Sequence, residues 1–234
     1  QIARWLRQRL PADPRILVIG KSRLESTVHR HGRLDRIAVT EYDDRGRPNG
    51  LAVLFGLFTS SALRTPGSQV PLLRDRLDAI LRSSGAEPRS HLHRAIVRAF
   101  DSVPIEVLLG TDAEGVEALI RELVDSEGSQ AVRLVQRADP HGRSLYVAVV
   151  LPRERYGEDL RARIRAHLDL RSGATYVDDR ISFLEEGAAA LHYFCTSSAG
   201  PLAATGAPHF ALYFDHGDAV REITSLDLFL PAPM

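Results

Sequence analysis

The hydrophobic period switches repeatedly after Pro104, and that alternation constrains the fold more than any single motif. Residues 105–109 (IEVLL) read as a short apolar strand. Thr111 and Glu114 form a capping box that opens a helix. Its buried stripe is Val116, Leu119, Ile120, Leu123 and Val124, and Gly128 closes it. Strands at 131–137 and 144–151 flank Asp139-Pro140-His141-Gly142, a strong turn signal. A helix over 158–170 carries Leu160, Ile164 and Leu168 on one face, and a strand at 174–184 follows. Strand, helix, strand, strand, helix, strand is the order of a ferredoxin-like βαββαβ domain. Both helices are expected on one face of the sheet, leaving the other for a partner sheet, a domain or a ligand. Residues 190–196 and 209–214 add further strands, and the apolar tail LDLFLPAPM is expected to dock on something.

The first part of the chain follows a different pattern. Ile2, Leu6 and Leu10 stand four apart, a short helix ended by Pro11. Residues 15–20 (RILVIG) read as a buried strand, and 36–43 alternate apolar and polar side chains. The loop DDRGRPNG then leads into 51–59 (LAVLFGLFT), which completes an antiparallel meander. Gly56 in the last strand signals a bulge or a close backbone approach. Two helices follow. The first has Val70, Leu73, Leu77, Ile80 and Leu81 on one face, between Pro71 and Gly85. The second is capped by Ser90 and carries Leu92, Ala95, Ile96, Ala99 and Phe100. The fold class is therefore α+β, divided as a meander over 1–69, connector helices over 70–103 and a ferredoxin-like domain with extra strands over 104–234.

Charge narrows the partners. With 30 basic and 30 acidic residues, the chain has no net field to steer it to nucleic acid or an anionic membrane. No apolar run approaches the roughly 20 residues that span a bilayer. The one cysteine, Cys195, excludes an intrachain disulfide and suits a reducing compartment. Met234 is the only methionine, so the expectation is a piece of a longer chain.

Lys21 is the only lysine, and it opens the run KSRLESTVHR. Lys21, Arg23, His29 and Arg30 stand there among Ser22, Ser26 and Thr27, either as a contact for an anion or partner or as a solvated strand edge. The run has no interleaved aromatics of the kind that read nucleic acid. Gly20-Lys21-Ser22 imitates the end of a phosphate-binding loop, but the earlier glycine position holds Arg15. No G-x-G-x-x-G stands between a strand and a helix. His29/His31 and His91/His93 are spaced by two, and His192 lies near Cys195, but none has the further ligands a metal needs. Cys195 reads as a small buried hydrophobe.

Four blocks resemble the large NAD-specific glutamate dehydrogenases of bacteria, in the regulatory region before the catalytic domain. They are KSRLESTVHR, LFGLFTSSALRTPGSQVPLLRDRL, GAEPRSH and VRLVQRADPHGRSLYVAVVLPRERYGEDLR, in the family's order. After Ser90-His91 the family tends to Asp-Gly-Lys, where this chain has Leu92-His93-Arg94, and beyond Cys195 no match is seen. The resemblance implies a partial PAS-type meander followed by an ACT-type domain, a ferredoxin-like module that often pairs edge to edge and binds amino acids. It also implies a cytoplasmic homo-oligomer whose whole enzyme deaminates glutamate to 2-oxoglutarate with NAD. The family's chemistry uses several lysines, so a chain holding Lys21 alone is expected to lack the catalytic set and to need no cofactor itself. Three roles follow: an assembly piece contacting other domains and subunits, an amino-acid effector module, or an enzyme in its own right.

Overall fold

The computed structural model describes residues 17–26, 28, 33–128, 131–138, 144–184, 187–197, 202, 209–214 and 223–229. The helix expected over residues 1–10 and the turn at 139–142 lie outside them. The chain divides into two compact units, Gln1–Leu63 and Arg64–Met234.

The first unit is an antiparallel meander, β1 (Leu17–Glu25), β2 (Arg33–Tyr42) and β3 (Pro48–Gly56), in that spatial order. Its β2–β3 turn is built on Asp43, whose Oδ1 accepts from the amides of Arg45 and Arg47, each at 2.9 Å. The Arg47 guanidinium pairs with Oδ2 at 2.9 Å, and Gly46 takes the left-handed conformation (φ 71°) the reversal requires. The Arg47 amide, more than any other contact, holds the Asp43 carboxyl below its usual range. Ala38 and Thr40 are buried on one face of β2. On the other face Ile37 and Val39 are half-buried, and Leu54, paired with Ile37, is 61% exposed. The register breaks lie between Lys21 and Glu25 and between Glu41 and Tyr42. Gly56 simply ends β3 opposite Asp35, with nothing within 4 Å of where a Cβ would stand, so neither the bulge nor the close approach expected there is found. The short helix α1 (Ser60–Arg64) follows.

The second unit begins with helices. Pro71 opens α2 (Pro71–Ser83), which buries Leu73, Leu77 and Ile80. In α3 (His91–Ser102) the Ser90 hydroxyl accepts from His93 N at 3.1 Å, as its capping role predicts. Residues 105–109 are a correction: they form α4 (Ile105–Gly110), not a strand. The Pro104 carbonyl accepts from Val107 N and Leu108 N, starting the turn. At its other end the Arg76 guanidinium donates to the carbonyls of Leu108 (2.6 Å) and Thr111 (2.7 Å), groups a short helix otherwise leaves unsatisfied. Tertiary packing completes it: Leu108 is fully buried, and a Cβ on Gly67 would stand 2.7 Å from it and 2.8 Å from Phe100. Helix α5 (Ala113–Ser126) is capped by Asp112, which accepts from Gly115 N at 2.8 Å, rather than by Thr111. It buries Val116, Leu119, Ile120 and Leu123 completely. Each such side chain contributes about 1.5–3 kcal/mol, as an upper estimate.

A four-stranded antiparallel sheet follows, from β4 (Arg133–Ala138), β5 (Ser144–Pro152), β6 (Tyr176–Phe183) and β7 (Ala188–Thr196), with α6 (Glu158–Ser172) between β5 and β6. The order is β4-β5-β7-β6. In the expected βαββαβ arrangement, the strand between the equivalents of β5 and β6 is the first of the chain. Here β7 holds that seat, antiparallel to both neighbours. The sheet is the expected one with its first strand supplied last.

Helix α6 covers one face. Leu160, Ile164 and Leu168 pack with Leu145, Val147, Val149 and Leu151 of β5 and Leu191, Tyr193 and Cys195 of β7. The opposite face is also closed: Tyr146, Ala148, Val150, Ala190 and His192 are at most 1% exposed. No α5 residue belongs to the α6-side core. Arg137, which pairs with Tyr146 on the second face, donates to Glu122 of α5 at 2.6 Å. The α6-side core holds no α5 residue and the second face is closed as well, contrary to the expectation of both helices on one face and a vacant second face. A hairpin of β8 (His209–Phe214) and β9 (Ile223–Phe229) ends the described chain, so the apolar tail forms a strand as far as Phe229.

Candidate functional site

Of the residues singled out near the start, Lys21 is placed by the fold itself. Lys21 and Asp35 are register partners on β1 and β2, and Nζ stands 2.6 Å from Oδ1. The other carboxylate oxygen accepts from Phe58 N at 2.9 Å, so one aspartate holds β1 and the segment after β3. The hydroxyls of the run serve their own backbone: Ser22 accepts from Leu24 N at 3.0 Å, and Ser26 donates to the Val28 carbonyl at 2.6 Å. Such local bonds shape the irregular end of β1. The side chain of Arg23, and all of His29 and Arg30, lie outside the described residues.

Two side-chain clusters that sequence reasoning missed stand in the second unit. On the α6 side, Asp179 of β6 is nearly buried, with a side-chain exposure of 5%, and lies between two guanidinium groups. Arg161 Nε reaches Oδ2 at 2.5 Å and Arg165 reaches Oδ1 at 2.5 Å. Arg165 also donates to the Val177 carbonyl at 2.9 Å, and Tyr193 OH to the Arg161 carbonyl at 3.1 Å. Glu158 accepts from Arg161 at 3.2 Å and from Tyr156 OH. The Asp179 hydrogen bond is the main reason the Arg161 guanidinium holds its proton more tightly than usual. Carboxylate and cations satisfy one another, so the cluster clamps α6 to β6.

On the second face a chain of hydrogen bonds crosses three strands. Tyr146 Oη of β5 lies 2.7 Å from His192 Nδ1 of β7, and His192 Nε2 lies 2.6 Å from Ser182 Oγ of β6. The arrangement imitates a serine–histidine nucleophile. Burial, then the nearby Arg180 charge, pull the His192 pKa down to about 3, so the imidazole is no base for the hydroxyl at neutral pH. Burial likewise drives the Tyr146 phenol far above its usual range.

Cys195 points to the α6 face and His192 to the other, so the two share no ligand site. Cys195 is fully buried, and that burial lifts its thiol to about 12. Such a thiol is an unreactive packing group. Among the described residues no group of three or more His, Cys, Asp or Glu could hold a metal ion, and no helix is long and apolar enough to cross a membrane.

Comparison with known proteins places the geometry. Residues 133–205 match the family described as "Glutamate dehydrogenase, ACT2 domain", and residues 70–127 match "Glutamate dehydrogenase, helical motif 1". The first spans β4 to β7, and the second spans α2 to α5. The chain is 28% identical over 165 residues to the NAD-specific glutamate dehydrogenase of Halomonas elongata, covering 70% of this chain and 10% of that protein. It is 27% identical over 153 residues to the namesake from Pseudomonas aeruginosa, covering 65% and 9%. The Mycobacterium tuberculosis namesake is 26% identical over 187 residues, covering 80% and 11%. The chain therefore spans about a tenth of the length of these relatives. Their name raises the question of NAD. Gly20 and Lys21 lie inside β1 rather than at a turn into a helix, and Lys21 is paired with Asp35. Those residues do not fit a pyrophosphate.

Proposed function

We propose, from the premise that this chain belongs to the glutamate dehydrogenase family and carries its helical motif 1 and ACT2 domain, that it is a non-catalytic regulatory and assembly piece of such an enzyme. The observation that carries this reading is that both matched segments, 70–127 and 133–205, fall within one compact unit. The whole enzyme would convert glutamate to 2-oxoglutarate with NAD, in the cytoplasm, as a homo-oligomer. The first unit would be the end of a PAS-like meander. Lys21, Arg23, His29 and Arg30 would contact another domain or subunit. The second reading, an amino-acid effector module, rests on the ACT2 match.

Thermal denaturation of the chain with a panel of amino acids, 2-oxoglutarate and NAD separates the readings. A ligand at a hundred times its dissociation constant adds about 2.7 kcal/mol. Each kcal/mol moves the midpoint of a chain this size by roughly 2–4 °C. The assembly reading expects no shift. A selective shift with one amino acid would transfer the role to effector sensing, and a shift with NAD would overturn the non-catalytic reading.

A further inference from the structure

The Tyr146–His192–Ser182 chain has a direction. A neutral imidazole offers one donor and one acceptor, so only two proton arrangements satisfy both short contacts. In one, Tyr146 donates to Nδ1, and Nε2–H donates to Ser182. In the other, Ser182 donates to Nε2, and Nδ1–H donates to Tyr146. A phenol is a far better hydrogen-bond donor and a poorer acceptor than an aliphatic hydroxyl, because its oxygen shares charge with the ring. The distances, 2.7 Å at Nδ1 and 2.6 Å at Nε2, leave neither nitrogen unengaged. Burial, and then the nearby Arg180 charge on β6, disfavour a second proton on the ring.

We infer that Tyr146, His192 and Ser182 form a one-way hydrogen-bond relay that ties β5, β7 and β6 together and leaves the Ser182 hydroxyl hydrogen as a donor on the β6 side of the sheet. Tyr146 starts the relay from a fully buried position, and Ser182 ends it on a half-buried stretch of an edge strand. The polarity set in the core thereby fixes what the edge strand presents: a donor, matched by an acceptor such as a carbonyl or carboxylate oxygen.

The test is long-range proton–nitrogen correlation NMR of the ¹⁵N-labelled chain at pH 7, where protonated and bare ring nitrogens resonate far apart. The His192 signals are those lost in His192→Gln. The expected result is a single Nε2–H tautomer with Nδ1 bare. Tyr146→Phe should collapse that preference to a mixture, whereas Ser182→Ala should keep it, since the tyrosine still donates to Nδ1. An Nδ1–H tautomer in the unmodified chain would overturn the relay. So would the reverse pattern, with Ser182→Ala switching the tautomer and Tyr146→Phe leaving it alone. The unmodified chain decides the polarity even if a variant fails to fold.

Discussion

Strand β2 of the first unit and strand β5 of the second are both interior antiparallel strands, yet one is buried only in part and the other almost end to end. The difference comes from what lies on each face. α6 covers one face of β5, and Tyr146, Ala148 and Val150 on the other are at most 1% exposed. In β2 the polar work is done by the Lys21–Asp35 pair and the Asp43 turn, while Ile37 and Val39 stay half-buried. Identical wiring therefore gives different stability: backbone ladders set the shape of both sheets, and side-chain burial decides how firmly each is held.

Substitutions should expose this contrast. The largest effect is expected from Leu191→Ala, which empties part of the closed core: a loss of roughly 2–5 kcal/mol in urea unfolding of the second unit. If it costs no more than a surface change, the two sheets are not differently sealed. Asp179→Asn should cost about 1–3 kcal/mol, because it removes the charge from a nearly buried acceptor between two guanidinium groups. Asp35→Asn keeps an acceptor for Phe58 N and loses the Lys21 pair, so a smaller loss there would sharpen the comparison.

Acid should separate the units as well. With a folded pKa near 3 and an ordinary unfolded value of about 6.5, His192 binds a proton in the unfolded chain first. Its contribution to stability is intact above pH 6.5 and is lost as pH falls toward 3, by up to about 1.4 kcal/mol per pH unit. His192→Gln should flatten that part of the stability–pH profile, and an unchanged slope would refute the assignment. Leu54→Ala, at an exposed position of the first sheet, should change stability by less than about 0.5 kcal/mol. A larger loss would show that the face is covered in solution.

Much of this was legible because local signals agreed with the fold. The stripe of α5, the Ser90 cap and the turn-rich break after β2 each have a near-sequence cause. The segment 105–109 reads as a strand because a short apolar run carries no reliable period. What makes it helical comes from afar: Arg76 on its last carbonyls and Gly67 beneath Leu108. The strand character of β7 was plain from its apolar run, but its seat between β5 and β6 depends on pairing partners that no local pattern names. The site was least legible for the same reason. Tyr146 and Ser182 lie 46 and 10 residues from His192, so only the register of three strands brings them together.

The late arrival of β7 also sets a schedule. As the chain leaves the ribosome, β4, β5, α6 and β6 emerge before the strand that joins them. At about 5–20 residues per second, synthesis leaves β5 and β6 with unpaired inner edges for seconds. Pairing can begin only when Ala188 and Ala189 have cleared the exit tunnel, and it is complete only with Thr196. Until then those edges are open to any neighbouring strand, and the nascent chain is at its most vulnerable to mispairing.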